Sequence, residues 1–251
     1  MYRVNIVARL IQLNERMLFY PKLRRFYKIN VTKNAPVILD VGANKGQTID
    51  FFLKLFGDAV IFGFEPNHIL YRFLRQKYEG NPNVRLFNYG VSNRNGRLMF
   101  QETVTSETST FEELNMDSDY LKMKSAMLGI KPGQMVRNTY EVDVITLSDF
   151  IRENNLSNID IIKIDTEGHE FKCLQGLFNG PDFGADFIQI ELHNDDMYAN
   201  AVSGEAISNL LADNNYSLVK KIAHGFGDFD ELIFAPLSSR KHEPERKLSF
   251  V

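Results

Sequence analysis

Residues 37–46 read V-I-L-D-V-G-A-N-K-G, and residues 47–56 continue with apolar side chains at near-helical spacing. Apolar residues surround Asp40, and Gly42 and Gly46 then bracket a short polar loop. This pattern predicts a buried parallel strand, a tight turn and the start of a helix. Because the first amides of a helix lack partners within it and carry a partial positive charge, we expect the turn to suit an anionic group such as a phosphate or a carboxylate.

The alternation of strands and helices continues along the chain. Residues 60–65, V-I-F-G-F-E, predict a second buried strand, and residues 84–91 predict a third. Further strand or helix patterns occupy residues 68–78, 142–147, 149–155, 159–165, 166–177, 186–192, 207–214, 217–222 and 231–235. Ser148 is positioned to cap the helix at residues 149–155. We therefore predict an α/β Rossmann-like fold, with a mostly parallel sheet, helices on both faces and a closing antiparallel hairpin.

Residues 92–140 interrupt this alternation. Residues 98–104 have the pattern of an edge strand, and residues 120–129 have helical spacing. A stretch this long without a clear run of elements is uncommon in a compact domain unless it forms a lid or a binding loop. We therefore predict one domain over residues 36–237, with an insertion at about residues 92–140 that covers the substrate side, and a loose polar tail over residues 238–251.

Residues 1–35 are predicted to form a basic amphipathic helical extension. An apolar stripe at helical spacing is formed by Ile6, Leu10, Leu13 and Met17. Pro21 is expected to end this helix. Residues 1–33 hold eight basic side chains and one acidic one. Such a helix packs on the domain edge with its basic side in water, or it offers a surface to anionic lipid, an acidic substrate or a second subunit. The sequence leaves these alternatives and the oligomeric state open.

The composition restricts the class of protein. With 251 residues, of which 44% are hydrophobic and 24% charged, the chain can bury a core without disulfides. Its single cysteine, Cys173, excludes an internal disulfide and is compatible with a reducing compartment, so we expect a cytoplasmic protein. The net charge of −3 argues against a nucleic-acid partner. The sequence has no run of about 18 or more apolar residues and no signal-peptide pattern, so no spanning helix is expected.

Polar side chains mark the ends of the predicted strands. In a parallel sheet the ligand site lies beyond the carboxyl ends of the strands, near the point where strand order reverses. The polar residues at those ends are Asp40, Glu65, Asn88, Asp165, Glu191 and His193. Their convergence on one edge indicates a site more strongly than any single motif in the chain.

The loop and Glu65 indicate the cofactor. Glu65 lies 23 residues beyond Gly42, close to the spacing of about 20 at which Rossmann-type domains bind the ribose hydroxyls of a nucleotide. Asn44 occupies a position that a dinucleotide pyrophosphate needs free of side chains, which argues against NAD or FAD. S-adenosylmethionine (SAM) fits better. We expect the amides of residues 42–46 to bind its carboxylate, Asp40 its ammonium and Glu65 its ribose.

Four segments carry a resemblance to a known family: V-I-L-D-V-G-A-N-K-G at residues 37–46, F-E-P-N at 64–67, V-D-V-I-T-L at 142–147 and I-D-I-I-K-I-D-T-E-G-H-E at 159–170. They resemble the FkbM family of SAM-dependent methyltransferases, over about residues 37–191. The resemblance implies a seven-stranded class I methyltransferase fold. It also implies O-methylation of hydroxyls, frequently on sugars or secondary metabolites.

The resemblance also implies which residues form the site. Cofactor contacts are implied for Asp40, Gly42, Asn44, Gly46 and Glu65. Val91, at the end of the third predicted strand, is a further expected contact. The second signature of the family includes Asp165, Glu167 and Glu170. His169 stands where the family often has a small residue, so no role is carried over to it.

The side chains that are candidates for removing the acceptor's proton are Asp165, Glu167, His169 and His193. Asp165 ends a core strand beside the expected methyl position, which favours an orienting group or a base. Glu167 is a base or, alternatively, a structural acid in the first turn of a helix. His193 follows a strand end and titrates near neutral pH. A divalent ion is left open, because oxygen ligands of the kind that Mg²⁺ accepts are supplied by Asp165, Glu191, Asp195 and Asp196.

The sequence therefore predicts a SAM-dependent O-methyltransferase whose acceptor is a small polar hydroxyl compound, such as a sugar, a glycan precursor or a secondary metabolite. Two alternatives remain. A nicotinamide-dependent oxidoreductase would use the same architecture, although neither a pyrophosphate-compatible loop nor the usual Tyr/Lys acid–base set is evident. A non-catalytic SAM-binding module would recruit a partner or a membrane through residues 1–33.

Overall fold

The computed structural model describes residues 19–180, 183–200, 202–224 and 229–239. The predicted apolar stripe at residues 6–17 and most of the predicted polar tail lie outside this part of the chain. The elements, in chain order, are α1 (Tyr20–Asn30), β1 (Val37–Val41), α2 (Gln47–Phe56), β2 (Val60–Phe64), α3 (His68–Lys77), β3 (Val84–Phe87), β4 (Gly90–Val91), β5 (Gly96–Thr103), α4 (Asp119–Leu128), β6 (Val136–Ile145), α5 (Leu147–Glu153), β7 (Asn158–Ile164), α6 (Glu170–Phe178), β8 (Gly184–His193), α7 (Gly204–Asp213), β9 (Tyr216–Ala223) and β10 (Phe229–Pro236). Among these described helices, none has both the length and the hydropathy that a bilayer crossing requires.

The main sheet has seven strands in the order β3-β2-β1-β7-β8-β10-β9. The first five strands in this order run parallel to one another, and β10 runs antiparallel to both β8 and β9. The strand order reverses between β1 and β7, which is where a doubly wound sheet places its ligand site. The predicted Rossmann-like fold and its closing antiparallel hairpin are confirmed.

Neighbouring positions on each strand enter opposite cores, as the two-residue period of a strand requires. On β1, Ile38 belongs to the core beneath α1, α2 and α3, whereas Leu39 belongs to the core beneath α5, α6 and α7. On β7, Ile161 and Ile162 divide between the two cores in the same way. Helices therefore cover both faces of the sheet, which explains why its central strands are nearly continuous apolar runs.

Helix α1 differs from the prediction for the N-terminal region. The sequence predicts that Pro21 ends a helix, but Pro21 lies in the first turn of α1. This position suits proline, because a first-turn amide has no acceptor within the helix to lose. Leu23 and Tyr27 are buried, and the Tyr27 hydroxyl donates to Gln189 Oε1 at 2.6 Å. Helix α1 is therefore packed against the sheet.

The predicted third strand, residues 84–91, divides in two. β3 pairs with β2 in the main sheet, whereas β4 pairs with β6 in a second sheet of order β4-β6-β5. Residues 92–140 contain β5, α4 and the first half of β6. Much of β5 and β6 is exposed. The predicted strands at residues 98–104 and 142–147 overlap β5 and the end of β6, whereas the exposed start of β6 has no regular apolar alternation.

Two helix starts also differ from the prediction. Thr146, rather than Ser148, caps α5, because the Thr146 hydroxyl accepts from the Asp149 amide at 3.2 Å. Helix α6 begins at Glu170 instead of residue 166. The residues before it form a turn, with φ of 57° at Glu167 and 93° at Gly168. This turn lies at the centre of the site described next.

Candidate active site

Polar side chains gather at the carboxyl ends of β1, β2, β7 and β8. The parallel register places Asp40 of β1 beside Gly63 of β2 and Lys163 of β7. Glu65 and Asp165 follow directly after β2 and β7. Asp40 and Asp165 both contribute to the electrostatic field at Glu65. The structure therefore brings together the acids that the sequence places at neighbouring strand ends.

The Asp40 carboxyl group is fully buried, and neither oxygen has a hydrogen-bond partner among the described residues. Burial raises the pKa of Asp40 to about 7, although Lys163 opposes the shift. An unpartnered buried carboxylate is unfavourable on its own. The arrangement suits a ligand that brings a positively charged donor.

Glu65 is also buried, but it accepts two backbone hydrogen bonds. Its Oε2 accepts from the Asn44 amide at 2.7 Å, and its Oε1 accepts from the Asn67 amide at 2.9 Å. Burial raises the pKa of Glu65 to about 7 against these two bonds. A carboxylate has about four acceptor positions. Two acceptor positions therefore remain on Glu65, and the two hydroxyl groups of a ribose diol require two acceptors.

The amides of the loop at residues 42–46 are engaged within the protein. The Gly42 and Ala43 amides donate to the Phe64 carbonyl, and the Gly46 amide donates to the Ala43 carbonyl. The Asn44 amide donates to the Glu65 side chain, and the Lys45 amide donates to the Gln47 side chain. The expected bonds from these amides to a cofactor carboxylate would therefore have to displace existing ones. The loop atom without a partner among the described residues is the buried Asn44 Oδ1.

Gly42 is required by the close approach of two strand ends. Its φ is +86°, and a Cβ atom at this position would lie 1.8 Å from the Asp165 carbonyl oxygen. Such a contact is impossible without moving the end of β7. The loop after β1 and the acid after β7 are thereby held at a fixed distance.

Gly46 and Val91, which are predicted cofactor contacts, and Asn88, a predicted polar strand end, have structural contacts. Gly46 has a φ of +81°, and a Cβ atom there would lie 2.3 Å from the Tyr78 hydroxyl. The Asn88 side chain donates to the Glu65 and Pro66 carbonyls, which fixes the segment after β2. Val91 is packed in the core beneath α5, α6 and α7.

Lys163 lies beneath the site and neutralises several acids. Its side chain is 5% exposed, and its Nζ lies 2.5 Å from Asp165 Oδ2. Burial would lower the pKa of Lys163, but the surrounding carboxylates raise it overall, and those groups are Asp165, Glu231, Glu191 and Asp40. Lys163 is not among the residues predicted from the sequence, although a single lysine in a mostly apolar strand before Asp165 is a signal for it.

A second group of side chains surrounds Glu167. The Tyr198 hydroxyl donates to Glu167 Oε2, and His193 Nε2 lies 3.4 Å from the same oxygen. The His193 Nε2 is also 3.7 Å from Glu191 Oε1, and Nδ1 is 3.5 Å from Asp195 Oδ2. Burial would lower the pKa of His193, but these acids raise it to about 10. His193 therefore carries a proton at neutral pH in this arrangement.

His169 lies away from this group. Its Nδ1 is 2.5 Å from Glu112 Oε1 and its Nε2 is 2.9 Å from the Ser92 hydroxyl, so both ring nitrogens are occupied. Lys172 donates to the same Glu112 oxygen at 2.7 Å. These bonds attach the insertion to the start of α6. Glu170 accepts from the Thr166 and Gly168 amides and stabilises the turn before the helix.

The oxygen ligands expected for a metal do not meet in the part of the chain that the structure describes. Asp196 accepts from the Ser118 hydroxyl instead. A different set, made of Glu167, Glu191 and His193, has its ligand atoms within 4.8 Å of one another. Of the predicted ligands, Glu191 belongs to this set.

A cleft of about 370 Å³ lies between the loop after β1, the start of α3 and the insertion. The side chains that line it are mostly polar, and they include Lys45, Asn67, Glu102, Thr103, Glu107 and Arg137. Lys45 donates to Glu107 at 2.6 Å across this space. The cleft has room for a polar small molecule, and its lining includes Lys45 and Asn67, which follow Asn44 and Pro66 in the chain.

The sequence is similar to characterised methyltransferases. It is 29% identical over 197 residues to the 2-O-methyltransferase NoeI of Sinorhizobium fredii, and the aligned region covers 77% of each chain. It is 22% identical over 158 residues to the hexuronic acid methyltransferase AglP of Haloferax volcanii, and the aligned region covers 62% of this chain and 56% of AglP.

The fold is similar to that of a solved methyltransferase. The magnesium protoporphyrin IX methyltransferase ChlM of Synechocystis PCC 6803 superposes with a TM-score of 0.52 at 10% identity, over 92% of this chain and 84% of that one. This similarity concerns the fold alone. The model of the methyltransferase FkbM domain matches residues 40–218, which include the loop after β1, Glu65 and the acids after β7 and β8. The chain belongs to the FkbM methyltransferase family.

Proposed function

We propose that this protein transfers a methyl group from SAM to a hydroxyl group of a small polar acceptor of the sugar class. The observation that carries the proposal is the pair of buried acids at the ends of β1 and β2. Asp40 has two unpartnered oxygens for the ammonium of the cofactor, and Glu65 has two free acceptor positions for its ribose. Asn44 Oδ1 adds a third unpartnered acceptor beside them.

The acceptor class is supported by the relatives and by the cleft. NoeI is named a 2-O-methyltransferase and AglP a hexuronic acid methyltransferase. Most of the side chains that line the cleft are charged or polar, among them Arg137 and Thr103. Such side chains match the many hydroxyls of a sugar and the carboxylate of a uronic acid. We propose that the insertion at residues 92–140 forms the acceptor side of the site.

Asp165 is the proposed base. SAM, when bound, supplies an electrophilic methyl carbon on a sulfonium. The Asp165 carboxylate would accept the proton that the acceptor hydroxyl gives up on methylation. Asp165 is a quarter exposed, and Lys163 holds one of its oxygens in place. The other oxygen is therefore available to a hydroxyl aligned at near-attack distance.

His193 has a different role in this proposal. An imidazolium at neutral pH cannot accept a proton, and the acids around His193 raise its pKa to about 10. Together with Tyr198, it holds the Glu167 carboxylate, whose own pKa is raised by burial. Glu167 is thereby oriented beside Asp165, where it can accept a hydrogen bond from the acceptor.

The proposal is tested by titration with S-adenosylhomocysteine (SAH) and by methyl transfer from labelled SAM to a panel of sugars, uronic acids and their glycosides. We expect SAH to bind and at least one panel member to gain a methyl group. Glu65→Gln should weaken SAH binding by about tenfold or more, because it removes a charged acceptor of two hydrogen bonds. Glu141→Gln, at an exposed acid in β6, is the matched control.

Three outcomes would contradict the proposal. Absence of SAH binding would remove the cofactor assignment. Binding of NAD(H) in place of SAH would favour an oxidoreductase. SAH binding without turnover of any panel member, together with vesicle binding that requires residues 1–33, would favour a non-catalytic module.

A further inference from the structure

We infer that Glu167, Glu191 and His193 form a binding site for a divalent cation of the Mn²⁺ or Zn²⁺ class. The ligands would be one oxygen from each carboxylate and the Nε2 atom of the imidazole, which carries a proton in the metal-free protein and would release it when the cation binds. The role of the cation in catalysis rests on the proposed function, whereas its binding does not.

The spacing of the three groups matches metal coordination. His193 Nε2 lies 3.4 Å from Glu167 Oε2 and 3.7 Å from Glu191 Oε1. With metal–ligand bonds of about 2.1 Å, two ligands of a tetrahedral ion lie about 3.4 Å apart. These separations are longer than hydrogen bonds and close to those of two atoms that share one ion. A small closure of the side chains is sufficient to complete the coordination.

Unpartnered atoms indicate that this space takes a ligand. His193 Nε2 is buried and has no hydrogen-bond partner in the described part of the chain, although it faces two carboxylates. Asp195 has a side chain that is only 1% exposed, and its Oδ2, which is also unpartnered, lies 3.5 Å from His193 Nδ1. A metal-bound histidine commonly donates its other N–H to such a carboxylate, which directs the lone pair of Nε2 toward the ion.

The ligand types select the class of metal. An imidazole nitrogen with two carboxylate oxygens suits Zn²⁺ or Mn²⁺, whereas Ca²⁺ and Mg²⁺ prefer oxygen ligands throughout. Three protein ligands leave at least one coordination position for water or for an acceptor oxygen. An acceptor hydroxyl bound there would become more acidic. Asp165, two residues before Glu167, would then receive its proton.

A neighbouring set of groups gives a matched control. Glu191 also lies near His224 and Glu231, with ligand atoms within 4.8 Å. Both ring nitrogens of His224 are unpartnered among the described residues. However, the His224 ring packs 4.0 Å from the Phe19 ring, and Glu231 already accepts from Gln189 Nε2 at 2.8 Å. We therefore assign the cation to the set that contains His193.

The test uses the full chain, treated with a chelator and desalted, and titrated with Mn²⁺ and with Zn²⁺ by calorimetry. The free Mn²⁺ electron paramagnetic resonance signal provides a second readout. We expect one ion per chain. His193→Asn and Glu191→Gln should each weaken binding by at least about tenfold, whereas His224→Asn should leave it unchanged. Circular dichroism identifies any variant that fails to fold, and Glu167→Gln then replaces it.

Three results would overturn the site: no binding of either ion at about 1 mM, unchanged binding in folded His193→Asn and Glu191→Gln, or loss of binding in His224→Asn. Titration of the same samples with SAH separates this inference from the proposed function. SAH binding without metal binding removes only the metal site. Metal binding without SAH binding removes only the methyltransferase assignment.

Discussion

The two halves of the strand edge hold their acids in different ways. At the ends of β1 and β2, Asp40 and Glu65 are buried and form no ion pair within the described part of the chain, and burial raises the pKa of each to about 7. At the ends of β7 and β8, Lys163 and His193 lie among the acids. The acids of the first half therefore lack donors that a bound ligand could supply. The acids of the second half already have neighbouring cations from the protein.

The largest effect is expected from removing the buried cation of the second half. Lys163→Met leaves Asp165 and its neighbouring acids without their countercharge, which should cost about 3–5 kcal/mol of unfolding free energy. Urea denaturation measures this loss. The matched control is Lys122→Met, because Lys122 makes an exposed ion pair with Asp119 and its loss should cost less than about 1 kcal/mol. Equal losses in the two variants would mean that Lys163 does not hold the acids together.

The next effect concerns Asp40 in the first half, whose replacement should weaken cofactor binding but stabilise the ligand-free protein. Asp40→Asn removes a charged partner of the cofactor ammonium and should weaken SAH binding by about 30- to 1000-fold, or about 2–4 kcal/mol. The same change should stabilise the ligand-free protein by about 1–3 kcal/mol at pH 8, because it removes a buried unpaired carboxylate. Calorimetry and thermal denaturation measure the two effects.

The stability gain has a defined pH dependence. The folded pKa of Asp40, about 7, lies above its ordinary value, so the wild type loses stability as the pH rises from about 4 to 7. Asp40→Asn lacks this loss, and its advantage should shrink toward pH 4. An unchanged SAH affinity or a stability loss at pH 8 would remove Asp40 from the cofactor site.

A smaller effect is expected from Tyr198, whose hydroxyl donates to Glu167. Tyr198→Phe should lower the rate of methyl transfer by about tenfold, because Glu167 loses the bond that orients it. SAH binding should not change, since Tyr198 belongs to the second half of the edge. Steady-state kinetics with a methylated sugar product measure the rate. A loss of SAH affinity instead would show that the two halves are not separable.

The sequence identifies the first half of the site more completely than the second. Asp40, the glycine loop and Glu65 lie on consecutive elements, and the apolar strands that precede them show where each carboxylate falls. The loop amides are the exception, because their acceptors, such as the Phe64 carbonyl, become visible only in three dimensions.

The second half depends on contacts between distant segments. Tyr198 reaches Glu167 from a loop, and Glu112 reaches His169 from the insertion. No local pattern relates these residues, so the sequence leaves His169 among the candidate bases and omits Tyr198. Similarly, β5 and β6 are half-exposed strands whose pairing is determined by register, and the apolar pattern gives little sign of it.

The most direct test of the account is calorimetric titration with SAH between pH 5 and pH 8, in two buffers of different ionisation enthalpy. Asp40 and Glu65 must lose protons to receive the ammonium and the ribose, and their pKa values in the free protein are about 7. We therefore expect affinity to rise by roughly 25-fold for each of the two groups, and so by several hundred-fold in all, from pH 5.5 to 7.5, with proton release to the buffer that fades above pH 8. A pH-independent affinity, or proton uptake on binding, would contradict the claim that these two buried acids hold the cofactor.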